Sequence, residues 1–279
     1  MSTGHILLLG LIAGATIFIG LPVARMKSFS PVARAGLSAL ATGILLFLFW
    51  DVLTGAVDPV KSALDGRHWG RFAWLSGLGA AGFSVGLMGL VYYSVWMRRR
   101  SSRRVTTMVG PGAAAVDEFA GRRWIDELTP GKQLALLIAV GIGVHNFGEG
   151  LAIGQAAAAN SVSLAVTLIV GFALHNATEG FGVAAPLVGR VVPSWGQIAL
   201  AGLIAGGPTF VGTIVGYQFY SPVLAVFFLA TAAGALIFVI GELWSMLRKI
   251  GIGALVTTAM TVGFLVAFAT ELFLDTNGG

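Results

Sequence analysis

The chain has 279 residues, 56% of them hydrophobic and only 10% charged, with a mean hydropathy of +0.87 and a net charge of +5. A soluble domain carries about a quarter charged residues, so this composition excludes an ordinary soluble enzyme or nucleic-acid binder and points to a polytopic membrane protein. There is no cysteine, which removes disulfides, thiolate metal sites and cysteine nucleophiles from consideration.

Apolar runs long enough to cross a bilayer core, about twenty residues each, predict eight membrane helices: 4–24, 32–57, 71–97, 130–157, 161–188, 195–217, 222–247 and 251–274. The expected fold is therefore all-α, a single helical-bundle domain. Residues 1–20 lack a basic n-region and an A-x-A-like cleavage site, so the first run reads as a retained helix. Ser30-Pro31, Thr129-Pro130 and Ser221-Pro222 each place a capping residue before a proline at the first helical position. The 40 glycines predict close helix packing, because small residues let membrane helices approach.

Of the seventeen basic residues, only Lys61, Arg67 and Arg71 fall on one side of this arrangement. By the positive-inside rule that side is the outer one, and both termini face outward. The one long connection, 98–129, opens with Arg98-Arg99-Arg100 and Arg103-Arg104. It reads as a basic, mobile cytoplasmic loop in contact with anionic lipid heads.

The polar residues inside these runs carry the functional signal. His145-Asn146-Phe147-Gly148-Glu149-Gly150 in the fourth run returns as His175-Asn176-Ala177-Thr178-Glu179-Gly180 in the fifth, a repeated His-Asn-x-x-Glu-Gly. Ionisable residues in a membrane interior are costly and mark function by default. Positions i and i+4 share a helix face, so each histidine points with its glutamate, and two antiparallel copies face one another at mid-depth. Imidazole nitrogen and carboxylate oxygen suit zinc, iron or manganese. The plainer alternative is a hydrogen-bonded network stapling two helices. Glu242, in the seventh run, either snorkels to the inner interface or completes a carboxylate-rich site. Asp51, after Trp50 in the second run, reads equally as an interface residue or as part of an outer access site. Ala205-Gly206-Gly207-Pro208 predicts a kink or local unwinding of the sixth run. Asn176-Ala177-Thr178 matches a glycosylation pattern, but its depth argues against use.

Together, the eight runs, outward termini, long third connection and paired motif resemble the ZIP (Zrt/Irt-like) metal transporters, particularly the prokaryotic branch related to GufA. The resemblance implies a 3+2+3 helix plan with an inverted repeat, a homodimer and an elevator-like movement. It also implies a binuclear-type site with His145, Asn146 and Glu149 from the fourth span, His175, Asn176 and Glu179 from the fifth, and Glu242 from the seventh. The transported cation would be Zn2+, with Fe2+, Mn2+ or Cd2+ as alternatives, moved into the cytoplasm across the inner (plasma) membrane. Two departures stand out: Gly148 and Thr178 occupy positions where the family usually has proline, and the third connection has no histidine. Rival readings are a membrane-embedded metalloenzyme using a metal-bound water and a proton or anion transporter using the carboxylates as a relay.

Overall fold

A computed structural model describes residues 3–26, 30–107, 129–158, 162–187, 192–219, 221–251 and 253–278. Among these residues every regular element is helical. The long helices are α1 (Thr3–Ala15), α2 (Pro31–Asp65), α3 (Trp69–Thr107), α4 (Pro130–Ala158), α5 (Val162–Ala184), α6 (Trp195–Gln218), α7 (Pro222–Ile250) and α8 (Gly253–Gly278). Seven spans pass as long and apolar enough to cross a membrane on described residues alone, and α5 adds a 23-residue apolar helix between two of them. The molecule is a multi-pass helical membrane protein.

The expected helix starts hold. Ser30 and Ser221 accept from the amides of Ala33 and Leu224 at 3.1 and 3.4 Å, and Thr129 accepts from Lys132 at 3.5 Å. Each contact answers an otherwise unpaired first-turn N–H. Ser194 adds a capping box with Gln197 at the start of α6.

Three boundaries differ from expectation. The first span is segmented: α1 stops at Ala15, a single α-turn covers Ile17–Gly20, and a 3-10 turn runs Leu21–Arg25. At the break the Thr16 hydroxyl donates to the Ala13 carbonyl at 2.6 Å, a local bond that competes with the helical ladder. α3 continues through the arginine cluster to Thr107, so the first ten residues of the predicted loop are helical; 108–128 lie outside the described residues. α6 passes through Pro208 without unwinding, with the helix assigned unbroken from Trp195 to Gln218.

Packing sets α4 at the centre. In its apolar window 72% of residues are buried, against 17% in α8. α4 lies along α6 and also touches α5 and α7; α3 packs on α7, α8 on α2, and α2 on α7. Glycines make the central crossings possible. A Cβ on Gly150 would run into the carbonyl of Thr209, and one on Gly212 into that of Phe147, so α4 and α6 meet backbone to backbone. Gly14 and Gly206 are likewise each pressed against the other's carbonyl oxygen where α1 crosses α6.

Candidate metal centre

Both hexapeptides lie in mid-helix, and their polar side chains are enclosed: His145 and Glu179 are 1% exposed, Glu149 5% and His175 8%. His145 lies thirteen residues before the end of α4 and His175 thirteen residues after the start of α5, and both reach the same Glu149 oxygen, so the two histidines stand at one level on antiparallel helices. Counting about 1.5 Å per residue, Glu149 stands about one turn to one side of that level and Glu179 about one turn to the other. The result is a carboxylate, two imidazoles and a second carboxylate stacked along the two helices.

The four side chains touch. Nε2 of His145 is 3.3 Å from Oε1 of Glu149 and 3.7 Å from Oε1 of Glu179, while Nε2 of His175 is 3.3 Å from the same Glu149 oxygen. Atoms bound tetrahedrally about 2.0–2.2 Å from one cation lie roughly 3.3–3.6 Å apart; the two contacts to Glu149 fall at that spacing, and the 3.7 Å contact to Glu179 lies outside it. The set is not closed: among the described residues no group of three or more His, Cys, Asp or Glu is already set around one cation position. A cation held here would need at least one side chain to move.

The asparagines do something different from their neighbours. Asn146 donates Nδ2 to the carbonyl of Ala205 on α6 at 3.0 Å, and Asn176 donates Nδ2 to the carbonyl of Ala13 on α1 at 3.1 Å. Both are fully buried. Asn176 also faces Glu149, and Asn146 faces Glu179, yet by distance and angle neither carboxylate accepts a hydrogen bond. The amide groups thus serve first to fasten the motif helices to α1 and α6. Their acceptors lie in a second repeat, Gly10-Leu11-Ile12-Ala13-Gly14 and Gly202-Leu203-Ile204-Ala205-Gly206, the same segments that cross at Gly14 and Gly206. Sequence reading missed these partners, although the repeated pentapeptide was there to find them. The fastening also accounts for Asn176 as an unusable glycosylation position.

Glu242 and Asp51, each left open between an interface position and a place at the site, lie at the two margins of the cluster. Glu242 accepts from Nη2 of Arg98 at 3.0 Å and, with a side chain 22% exposed, lines a cavity together with Gln133, Leu134 and Leu137 of α4. Leu137 lies eight residues before His145, about 12 Å along the helix. Glu242 therefore stands in an ion pair at the basic end of the bundle, the inner-interface position that was one of its two readings. Asp51 is exposed on α2, within electrostatic reach of His145 and Glu149, as is Glu271 of Glu149. It borders the cluster on the Glu149 side and is not enclosed with it.

Gly148 and Thr178 interrupt neither helix. α4 and α5 run through them, and the Thr178 hydroxyl donates to the His175 carbonyl at 2.7 Å.

Fold and site define a multi-pass helical membrane protein with a buried His/Glu centre clasped between two antiparallel spans. Compared with models of known protein families and with characterised proteins, the chain matches none.

Proposed function

We propose that the chain is a divalent metal transporter of the ZIP kind, carrying zinc, or iron, manganese or cadmium, into the cytoplasm across the inner (plasma) membrane. One observation carries this reading. Both nitrogens of His145, Nε2 of His175 and all four carboxylate oxygens of Glu149 and Glu179 are buried with no hydrogen-bond partner. Buried polar groups left unpaired cost about 1–3 kcal/mol each, more when charged, and a staple between helices would pair them. Two carboxylates in one dry site also repel unless a cation or a proton lies between them. A divalent cation would answer both demands once one of these side chains shifts to close around it.

On this reading a metal ion comes from the outer side past Asp51, exchanges water for Glu149 and the two imidazoles, and passes to Glu179 on the inner side. Partly shared positions keep binding strong enough to select and weak enough to release, the compromise seen in channels. The paired contacts of α3 with α7 and of α8 with α2, together with the repeated pentapeptide in α1 and α6, support a 3+2+3 plan with an inverted repeat. The homodimer and the elevator-like movement are taken over from the resemblance.

Uptake of zinc or cadmium into proteoliposomes tests the reading. Wild-type protein should load the vesicles, and Glu149→Ala and Glu179→Ala should each reduce loading to the protein-free rate. Unchanged flux in both variants would remove this site from the transport path, and proton flux without metal flux would favour the relay reading.

A further inference from the structure

A cavity of about 500 Å³ lies between α3, α4 and α7 at the end of the bundle that carries most of the basic residues. This volume falls in the roughly 300–1,000 Å³ range of small-molecule sites. Met97, Leu134 and Leu137 form an apolar strip along its wall, beside the polar Ser94, Gln133 and Ser245. Its rim carries Arg98, Glu242 and Lys249, two cations and one anion. Glu242 holds one arm of the Arg98 guanidinium through Nη2 at 3.0 Å, which fixes the orientation of a group that carries five N–H donors in a rigid fork. Arg98 is nevertheless well exposed, with 61% of its side chain accessible. A positioned guanidinium beside a lysine suits a phosphate, and the apolar strip next to it suits hydrocarbon.

We infer that this cavity binds the headgroup and upper acyl chain of an anionic phospholipid. The phosphate sits at Arg98 and Lys249, and the chain lies along Met97, Leu134 and Leu137. Basic recesses between membrane helices are the recognised setting for such lipids. The apolar strip is what distinguishes a lipid from a soluble phosphate, which would gain nothing from it. Glu242 acts as the anchor of Arg98, and its charge sets an upper limit on how tightly the phosphate is held. This site is separate from the histidine cluster and does not depend on metal transport.

Native mass spectrometry of the full chain, released from mixed micelles of phosphatidylglycerol and phosphatidylcholine, tests the inference. The wild type should retain phosphatidylglycerol preferentially, with one lipid per chain surviving activation. Lys249→Gln and Arg98→Gln should each lower that preference about fivefold, whereas Glu242→Gln should leave it intact or raise it; all three are compared as monodisperse species by size exclusion. Since Lys249 is exposed at the end of α7, its variant remains informative even if Arg98→Gln folds poorly. Equal retention of the two lipids, or an undiminished preference in Lys249→Gln, would overturn the inference. Displacement of phosphatidylglycerol by millimolar inorganic phosphate would also overturn it, in favour of a soluble anion site.

Discussion

Gly148 and Gly150 stand two residues apart in one hexapeptide and face opposite constraints. A Cβ at Gly148 would meet Ala232 and Leu229 at 3.8 Å, ordinary contact, whereas one at Gly150 would run into the Thr209 carbonyl. Gly148→Ala should therefore be neutral or stabilising by up to about 1 kcal/mol, since glycine is a poor helix former. Gly150→Ala should cost about 1–3 kcal/mol through overpacking. Thermal melts in one detergent check the order, and a larger loss at Gly148 would contradict it. That glycine stands at 148 where the resemblance implies proline was legible in the sequence, but the reason for glycine at 150 was not, because it depends on a helix some sixty positions away. The same distance hid the asparagine bonds, which span 59 and 163 residues. Asn176→Asp keeps the shape of the side chain and loses the donor to Ala13. It should lower the melting temperature more than Thr178→Val, whose hydroxyl makes only a local bond; equal effects would argue that the Ala13 contact does not fasten α5 to α1.

At the level of elements, the helix starts were the most legible feature, because a capping side chain and the proline after it act within one turn. Ser30→Ala removes such a cap and should destabilise the protein by about 1 kcal/mol, measured by the same melts; no change would mean that the start of α2 is held by packing alone. The break in the first span was not legible: Thr16 bonds to Ala13, and threonine is common enough in membrane helices that the residue alone gives no warning. Pro208 removes one ladder bond, yet the helix continues unbroken from Trp195 to Gln218, where Gly143 of α4 seats against the Ile204 carbonyl. For Glu242 the sequence left two places open, the inner interface and the site. A lone acid in an apolar run gives no information about its depth until a partner is seen, and the partner is Arg98.

For the whole molecule, composition sufficed for a multi-pass helical bundle, since only helices with internally paired backbones can cross hydrocarbon here. The sidedness expected from the arginines and lysines can be tested cleanly, because the chain has no cysteine of its own. In intact cells, His68→Cys should react with a membrane-impermeant maleimide, and Lys132→Cys should react only after permeabilisation. The reverse pattern would invert the orientation and with it the direction of transport. If the histidine cluster holds the metal, protons compete for the same imidazoles and carboxylates, so zinc affinity should fall steadily as the pH is lowered. An affinity independent of pH, measured by equilibrium dialysis between pH 5 and 8, would place the metal on other groups.

The cluster itself was readable because its repeat is short, polar and set in apolar surroundings; its unpaired atoms were visible only once the helices were assembled. Those atoms are the core of the account, and anomalous scattering from crystals grown with zinc or cadmium tests them most directly. The account predicts a peak between α4 and α5, within about 2.0–2.3 Å of imidazole nitrogen and carboxylate oxygen from both hexapeptides, which disappears in Glu149→Ala. Strong peaks elsewhere in the molecule with none between His145 and His175 would contradict it.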